Sequence, residues 1–128
     1  MSWSVLVVDD EPMARTLLRL MLVRAGFDVV EAEDGFDALD KLKDGRPDVM
    51  ILDVMMPGID GFSVCETVRA APSTAQLPII MLSAKTDLES VNKGLRLGAD
   101  KYLTKPISPE ELTRQVRDVL QQQANSQT

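Results

Sequence analysis

Four short apolar runs in this 128-residue chain end in groups that can do chemistry. Val5-Leu6-Val7-Val8 runs into Asp9-Asp10-Glu11, Val49-Met50-Ile51-Leu52 into Asp53, Ile79-Ile80-Met81-Leu82 into Ser83, and Lys101-Tyr102-Leu103 into Thr104-Lys105-Pro106. If the runs are parallel strands of one sheet, right-handed crossovers bring these ends to one edge, where open α/β sheets bind ligands. Asp9, Asp10 and Asp53 then crowd within a few ångströms, a repulsion that raises carboxylate pKa values or costs stability unless something offsets it. A hard divalent cation such as Mg2+ removes the conflict, because it takes oxygen ligands and needs few protein carboxylates. Lys105 adds an ammonium able to reach an oxyanion, and Ser83 adds a hydroxyl donor. Such a set suits the stabilisation of a transferring phosphoryl group, which is mostly positioning and charge neutralisation. The chain has no histidine and one cysteine. The natural covalent acceptor is therefore a carboxylate.

Each residue alone has a plainer reading. Asp9 or Asp10 could cap the helix that follows, Asp53 could be an ordinary turn aspartate, and Lys105 a solvated loop lysine. The joint occurrence at four strand ends favours a site. The absence of histidine excludes Ser-His-Asp and Cys-His catalysis and histidine-ligated metals. Cys65 cannot form an internal disulfide and reads as a small buried side chain on a helix. The net charge of −6, without a Lys/Arg block, argues against direct nucleic-acid binding. No run approaches the length of a membrane span and no signal-peptide pattern opens the chain, so a cytoplasmic protein is expected.

The elements that must position these residues alternate in type. Besides the four runs, Phe27-Asp28-Val29-Val30-Glu31-Ala32 alternates apolar and polar residues, as an edge strand does, whereas the first, third and fourth runs are apolar throughout, as buried strands are. Pro12 sits at a first helical position, Ala14, Leu17, Leu18, Met21 and Ala25 form a core stripe, and Gly26 stops the helix. Met13, Thr16, Leu20 and Val23 form a second apolar line on that helix, read first as further core and otherwise as a docking surface for a partner's helices. Asp34 caps a second helix, and a third spans about Gly61 to Ala70. Thr86-x-x-Glu89 reads as a capping box for a fourth, with Leu88, Val91 and Leu95 inside, and Ser108-Pro109-Glu110-Glu111 opens a fifth. The order is strand-helix repeated five times over residues 1–120. Residues 121–128 form a glutamine-rich tail, read as a frayed helix end or the start of a linker in a longer protein.

These residues resemble the receiver domain of two-component response regulators, from about Ser4 to Leu120. The resemblance is carried by Val7-Val8-Asp9-Asp10-Glu11, Ile51-Leu52-Asp53, Met56-Pro57-Gly58-Ile59-Asp60-Gly61, Ile80-Met81-Leu82-Ser83-Ala84, Gly98-Ala99-Asp100-Lys101-Tyr102-Leu103 and Lys105-Pro106. It implies a doubly wound five-stranded parallel sheet, flavodoxin-like, in strand order 2-1-3-4-5 with helices on both faces. It also implies that Asp53 is the phosphoacceptor, that Asp9, Asp10, Asp53 and the Met55 backbone carbonyl hold Mg2+ (or Mn2+), and that Lys105 pairs with the acyl phosphate. Ser83 and Tyr102 are then switch residues, and the bond before Pro106 is cis. The implied partners are a histidine kinase or histidine phosphotransfer protein and a downstream output domain or protein, with dimerisation through the fourth helix, fifth strand and fifth helix an open alternative. The domain is then a signalling module that catalyses only its own phosphorylation and dephosphorylation. An apolar Met55 and a basic Lys85, two residues after Asp53 and Ser83, predict slow self-dephosphorylation.

Other classes fit less well. An aspartate-nucleophile phosphatase usually needs a second acid two residues after the nucleophile, where this chain has Met55. A flavodoxin-like cofactor binder needs Gly, Ser or Thr in the first loop, where Asp9-Asp10-Glu11-Pro12 stands. The complete acidic set argues against an interaction domain that is never phosphorylated.

Overall fold

The computed structural model describes residues 2–126. Strands and helices alternate throughout: β1 (Ser4–Val8), α1 (Pro12–Arg24), β2 (Asp28–Ala32), α2 (Gly35–Asp44), β3 (Val49–Leu52), α3 (Gly61–Ala70), β4 (Ile79–Ser83), α4 (Leu88–Arg96), β5 (Lys101–Thr104) and α5 (Pro109–Ser126). The strands make one parallel five-stranded sheet in the order β2-β1-β3-β4-β5. This is the doubly wound, flavodoxin-like architecture that the resemblance implies. β3 and β4 are buried along their whole length, and β2 alternates at one edge.

Because strand residues alternate between faces, the sheet divides its apolar side chains between two cores. Val5, Val7, Val49, Ile51, Ile80 and Leu82 pack with Leu18 and Leu22 of α1 and with Leu112, Val116 and Val119 of α5. On the other face Leu6, Val8, Met50, Leu52 and Met81 pack with Ala38 of α2 and Val64, Cys65 and Val68 of α3. Cys65 is buried, as its apolar surroundings require. Truncating a fully buried member such as Leu22 to alanine costs about 2–5 kcal/mol.

Several helix ends differ from the sequence reading. Neither Asp9 nor Asp10 caps α1; Glu11 does, its carboxylate accepting from the Met13 and Ala14 amides at 3.2 and 2.6 Å. The cap of α4 is Asp87 rather than Thr86, because the Asp87 carboxylate accepts from both the amide and the hydroxyl of Ser90, at 3.0 and 2.9 Å. Asp34, Asp60 and Ser108 cap α2, α3 and α5. Gly26, with φ of 98°, follows α1 in the left-handed region open to glycine. α5 runs on past Leu120 to Ser126, as a stretch of Gln and Ala favours. Gln127 and Thr128 of the expected tail lie outside the described residues.

Two apolar stripes also divide differently. Leu18 and Leu22 turn α1 towards the sheet, so Met13, Leu17, Leu20 and Val23 fall on its far side and are exposed. Leu17 is thus not core, and the second apolar line is a surface. Leu88, 74% exposed, and Leu95 likewise lie outside the core that the α4 pattern assigned them to.

Candidate functional site

The sheet order reverses between β1 and β3, and register places two of the carboxylates there. Val8 pairs with Leu52, so Asp9 and Asp53 leave adjacent strands side by side, and the Asp53 amide donates to the Val8 carbonyl at 3.0 Å. Asp9 and Asp53 are buried, 1% and 8% exposed. Asp10 completes the group, and one carboxylate oxygen from each of the three lies within 4.8 Å of the others. The Lys105 amide donates to the Ser83 carbonyl at 2.9 Å, which carries the lysine from the end of β5 towards the acids. Its ammonium lies 2.7 Å from Asp9 Oδ2 and 3.5 Å from Asp53 Oδ2. The Lys105-Pro106 bond is cis, as the resemblance implies.

One ammonium faces three carboxylates. Burial pushes the Asp53 carboxyl above its ordinary range, and the charge of Asp9 adds to the rise while Lys105 and the Met55 amide oppose it. Burial alone would lower the Lys105 pKa, but its hydrogen bond to Asp9 and the charges of Asp53 and Asp9 outweigh that and raise it. The donor set is all oxygen, with Asp9 and Asp53 buried and Asp10 towards solvent, and is short of positive charge, which is the chemistry that fits a hard divalent cation.

Ser83 and Tyr102 both contact the backbone of Lys85. The Ser83 hydroxyl is fully buried and accepts from the Lys85 amide at 3.2 Å, while the Tyr102 hydroxyl donates to the Lys85 carbonyl at 2.7 Å. Burial also raises the Tyr102 pKa. The Lys85 ammonium lies 3.4 Å from Asp87, which pairs it with the α4 cap. Met55 donates its amide to Asp53 Oδ1 at 3.3 Å, and its side chain is exposed.

The sequence reading named Asp9, Asp10, Asp53 and Lys105, whose charged groups the structure brings together, and Ser83, whose hydroxyl contacts the Lys85 amide. It missed Arg15, whose Nη1 donates to the Asp9 carbonyl at 2.8 Å. Its contact is with a backbone carbonyl, which leaves no motif in the sequence.

An acidic, lysine-bearing site at the switch point of a doubly wound sheet defines a small set of α/β domains. A family model of the response regulator receiver domain matches residues 5–117. The alkaline phosphatase synthesis transcriptional regulatory protein PhoP of Bacillus subtilis is 45% identical over 120 residues, covering 94% of this chain and 49% of that protein. Protein PilG of Pseudomonas aeruginosa is 42% identical over 109 residues, covering 85% and 81%. Among solved structures, a putative response regulator from Chloroflexus aurantiacus superposes with a TM-score of 0.90 at 40% identity, covering 94% of this chain and 98% of that one. The Vibrio cholerae chemotaxis protein CheY4 gives 0.88 at 37% identity, covering 93% and 99%. The chain belongs to the response regulator receiver domain family, a family of two-component signalling proteins and not of turnover enzymes. It spans about half the length of the transcriptional regulators it matches. No helix among the described residues is long and apolar enough to cross a membrane.

Proposed function

We propose that Asp53 of this domain accepts a phosphoryl group from a phosphohistidine on a histidine kinase or histidine phosphotransfer protein. The observation that carries the reading is the buried Asp53 carboxylate beside Asp9, with the Lys105 ammonium reaching both, at the sheet's switch point. Asp9, Asp10, Asp53 and the Met55 carbonyl are the groups that would hold Mg2+ or Mn2+. Bound there, the cation supplies charge neutralisation for the carboxylates and the incoming phosphoryl oxygens. An Asp53 oxygen forms the new bond to phosphorus as the P–N bond breaks, and the electron pair leaves with the imidazole nitrogen, which takes up a proton from solvent. Lys105 stays within reach of the new acyl phosphate through its position near Asp53.

The product carries roughly −1.5 to −2 charge and three strong acceptor oxygens. Ser83 turns its hydroxyl to one of them and gives up the Lys85 amide, which loosens the loop that Tyr102 also holds. The populations of α4, β5 and α5 shift accordingly, and that surface is the one read by an output domain or protein. Dimerisation through it is one form such a readout can take. The curated relatives named as transcriptional or DNA-binding regulators are longer than the part matched here, and the net charge of −6 suits this domain to control rather than DNA contact. A cytoplasmic site of action follows from a histidine kinase partner.

Incubation with Mg2+ and a small acyl-phosphate donor, read by intact mass, tests the proposal. One phosphoryl group per chain is expected, and none on Asp53→Ala; a group that persists on Asp53→Ala overturns the assignment. The exposed apolar side chain of Met55 fixes no water beside Asp53, and Lys85 is drawn to Asp87. The phosphoprotein is therefore expected to last minutes or longer in Mg2+, and a half-life of seconds would refute this.

A further inference from the structure

Arg15 reaches the acidic site without touching a carboxylate of it. Its side chain is 17% exposed, and it donates from Nη1 to the Asp9 carbonyl at 2.8 Å and from Nε to Glu31 at 3.2 Å. Glu31 is itself anchored: it pairs with Val7 in the sheet, its second carboxylate oxygen lies 3.1 Å from Arg19 Nε, and its carbonyl accepts from Lys41. The edge strand thus holds, through Glu31 and Arg15, the peptide that joins Asp9 to Asp10. That peptide is planar, so the direction of its carbonyl fixes the direction in which Asp10 leaves the turn. Asp9 has independent restraints, since its amide donates to Ala32 and its carboxylate accepts from the Glu11 amide and from Lys105. Among the described residues, no hydrogen bond or ion pair holds the Asp10 carboxylate.

We infer that Arg15 is a positioning residue for the cation site: by holding the Asp9–Asp10 peptide it sets the Asp10 carboxylate beside those of Asp9 and Asp53. The inference rests on the reading that these three carboxylates take a divalent cation. Charge and position make opposite predictions for it. A guanidinium this near repels a cation, so its removal tightens binding if charge alone matters, and weakens binding if Arg15 orients a ligand.

The test is Mn2+ binding, followed by the electron paramagnetic resonance signal of the free ion, at a temperature where circular dichroism shows each protein folded. Wild type is expected to bind and Asp10→Asn to bind far more weakly. Arg15→Gln is expected to lose about tenfold in affinity, the scale typical of partners that orient metal ligands. Glu31→Gln, which leaves Arg15 but frees its anchor, should weaken binding less. Arg15→Lys cannot make both bonds and should also weaken it, which keeps the test open if Arg15→Gln does not fold. Affinity equal to or tighter than wild type in a folded Arg15 variant overturns the inference and leaves the site reading standing. A wild type that takes up no Mn2+ overturns both.

Discussion

Lys105 is the positive charge that contacts both buried carboxylates, Asp9 at 2.7 Å and Asp53 at 3.5 Å. Removing one partner of a buried pair leaves the other uncompensated, which costs about 3–5 kcal/mol in a dry site; the partial exposure of Lys105 reduces this to about 2–4 kcal/mol. Lys105→Met is expected to lower stability by that amount in chelator, and Mg2+ should restore part of it, both read by denaturant unfolding. Asp53→Asn should act the other way. The Asp53 pKa is raised in the folded state, so between its ordinary and raised values the native protein holds a proton that the unfolded chain has released. Stability then falls as pH rises through that window, and the whole penalty is present above it. Without divalent cations Asp53→Asn should melt above wild type at neutral pH, by a margin that shrinks as pH falls through the window. A margin that is constant with pH would contradict it. These residues were legible because four strand ends carried the right types at once. Arg15 was not, since it acts through a backbone carbonyl and its spacing marks no motif.

Local signals failed at the element scale where two residues competed for one position. Thr86 has the capping-box spacing to Glu89, yet Asp87 reaches two donors on Ser90 and takes the cap. Pro12 at the first helical position already implied Glu11 as the cap of α1, and Asp9 was unavailable because it serves the acidic site. Strand placement was far more legible, since residues buried on both faces leave long apolar runs. The same tight packing sets how α3 meets Asp53. A Cβ on Gly61 would stand 2.2 Å from the Asp53 carbonyl and 2.8 Å from the Val54 Cα, both backbone atoms that cannot yield cheaply. Overpacking of this kind costs about 1–3 kcal/mol. Gly61→Ala should lose stability in that range and, by moving the Asp53 peptide, slow phosphorylation by a small acyl phosphate. A folded Gly61→Ala variant that phosphorylates at the wild-type rate would show that Asp53 tolerates the shift.

At the scale of the whole molecule the acidic excess and the exposed apolar side chains fall in different places. Asp9, Asp10 and Asp53 account for charge inside the site, whereas Met13, Leu17, Leu20 and Val23 lie along the outer face of α1, with Met13 80% exposed. α1 begins directly after the Asp9-Asp10-Glu11 turn, so a partner helix laid along this stripe would bring a side chain to the mouth of the site. A phosphohistidine donor needs such an approach, because its imidazole must come within bonding range of Asp53; a small acyl phosphate diffuses in unaided. The two donors therefore separate docking from chemistry. Leu20→Asp puts a charge on the stripe without reaching the acids. The ratio of its phosphorylation rate from a phosphohistidine protein to that from a small acyl phosphate is expected to fall at least about tenfold, equivalent to ~1.4 kcal/mol of lost docking. An unchanged ratio would mean that the donor approaches over another face, and the stripe on α1 would then be free to serve a different contact.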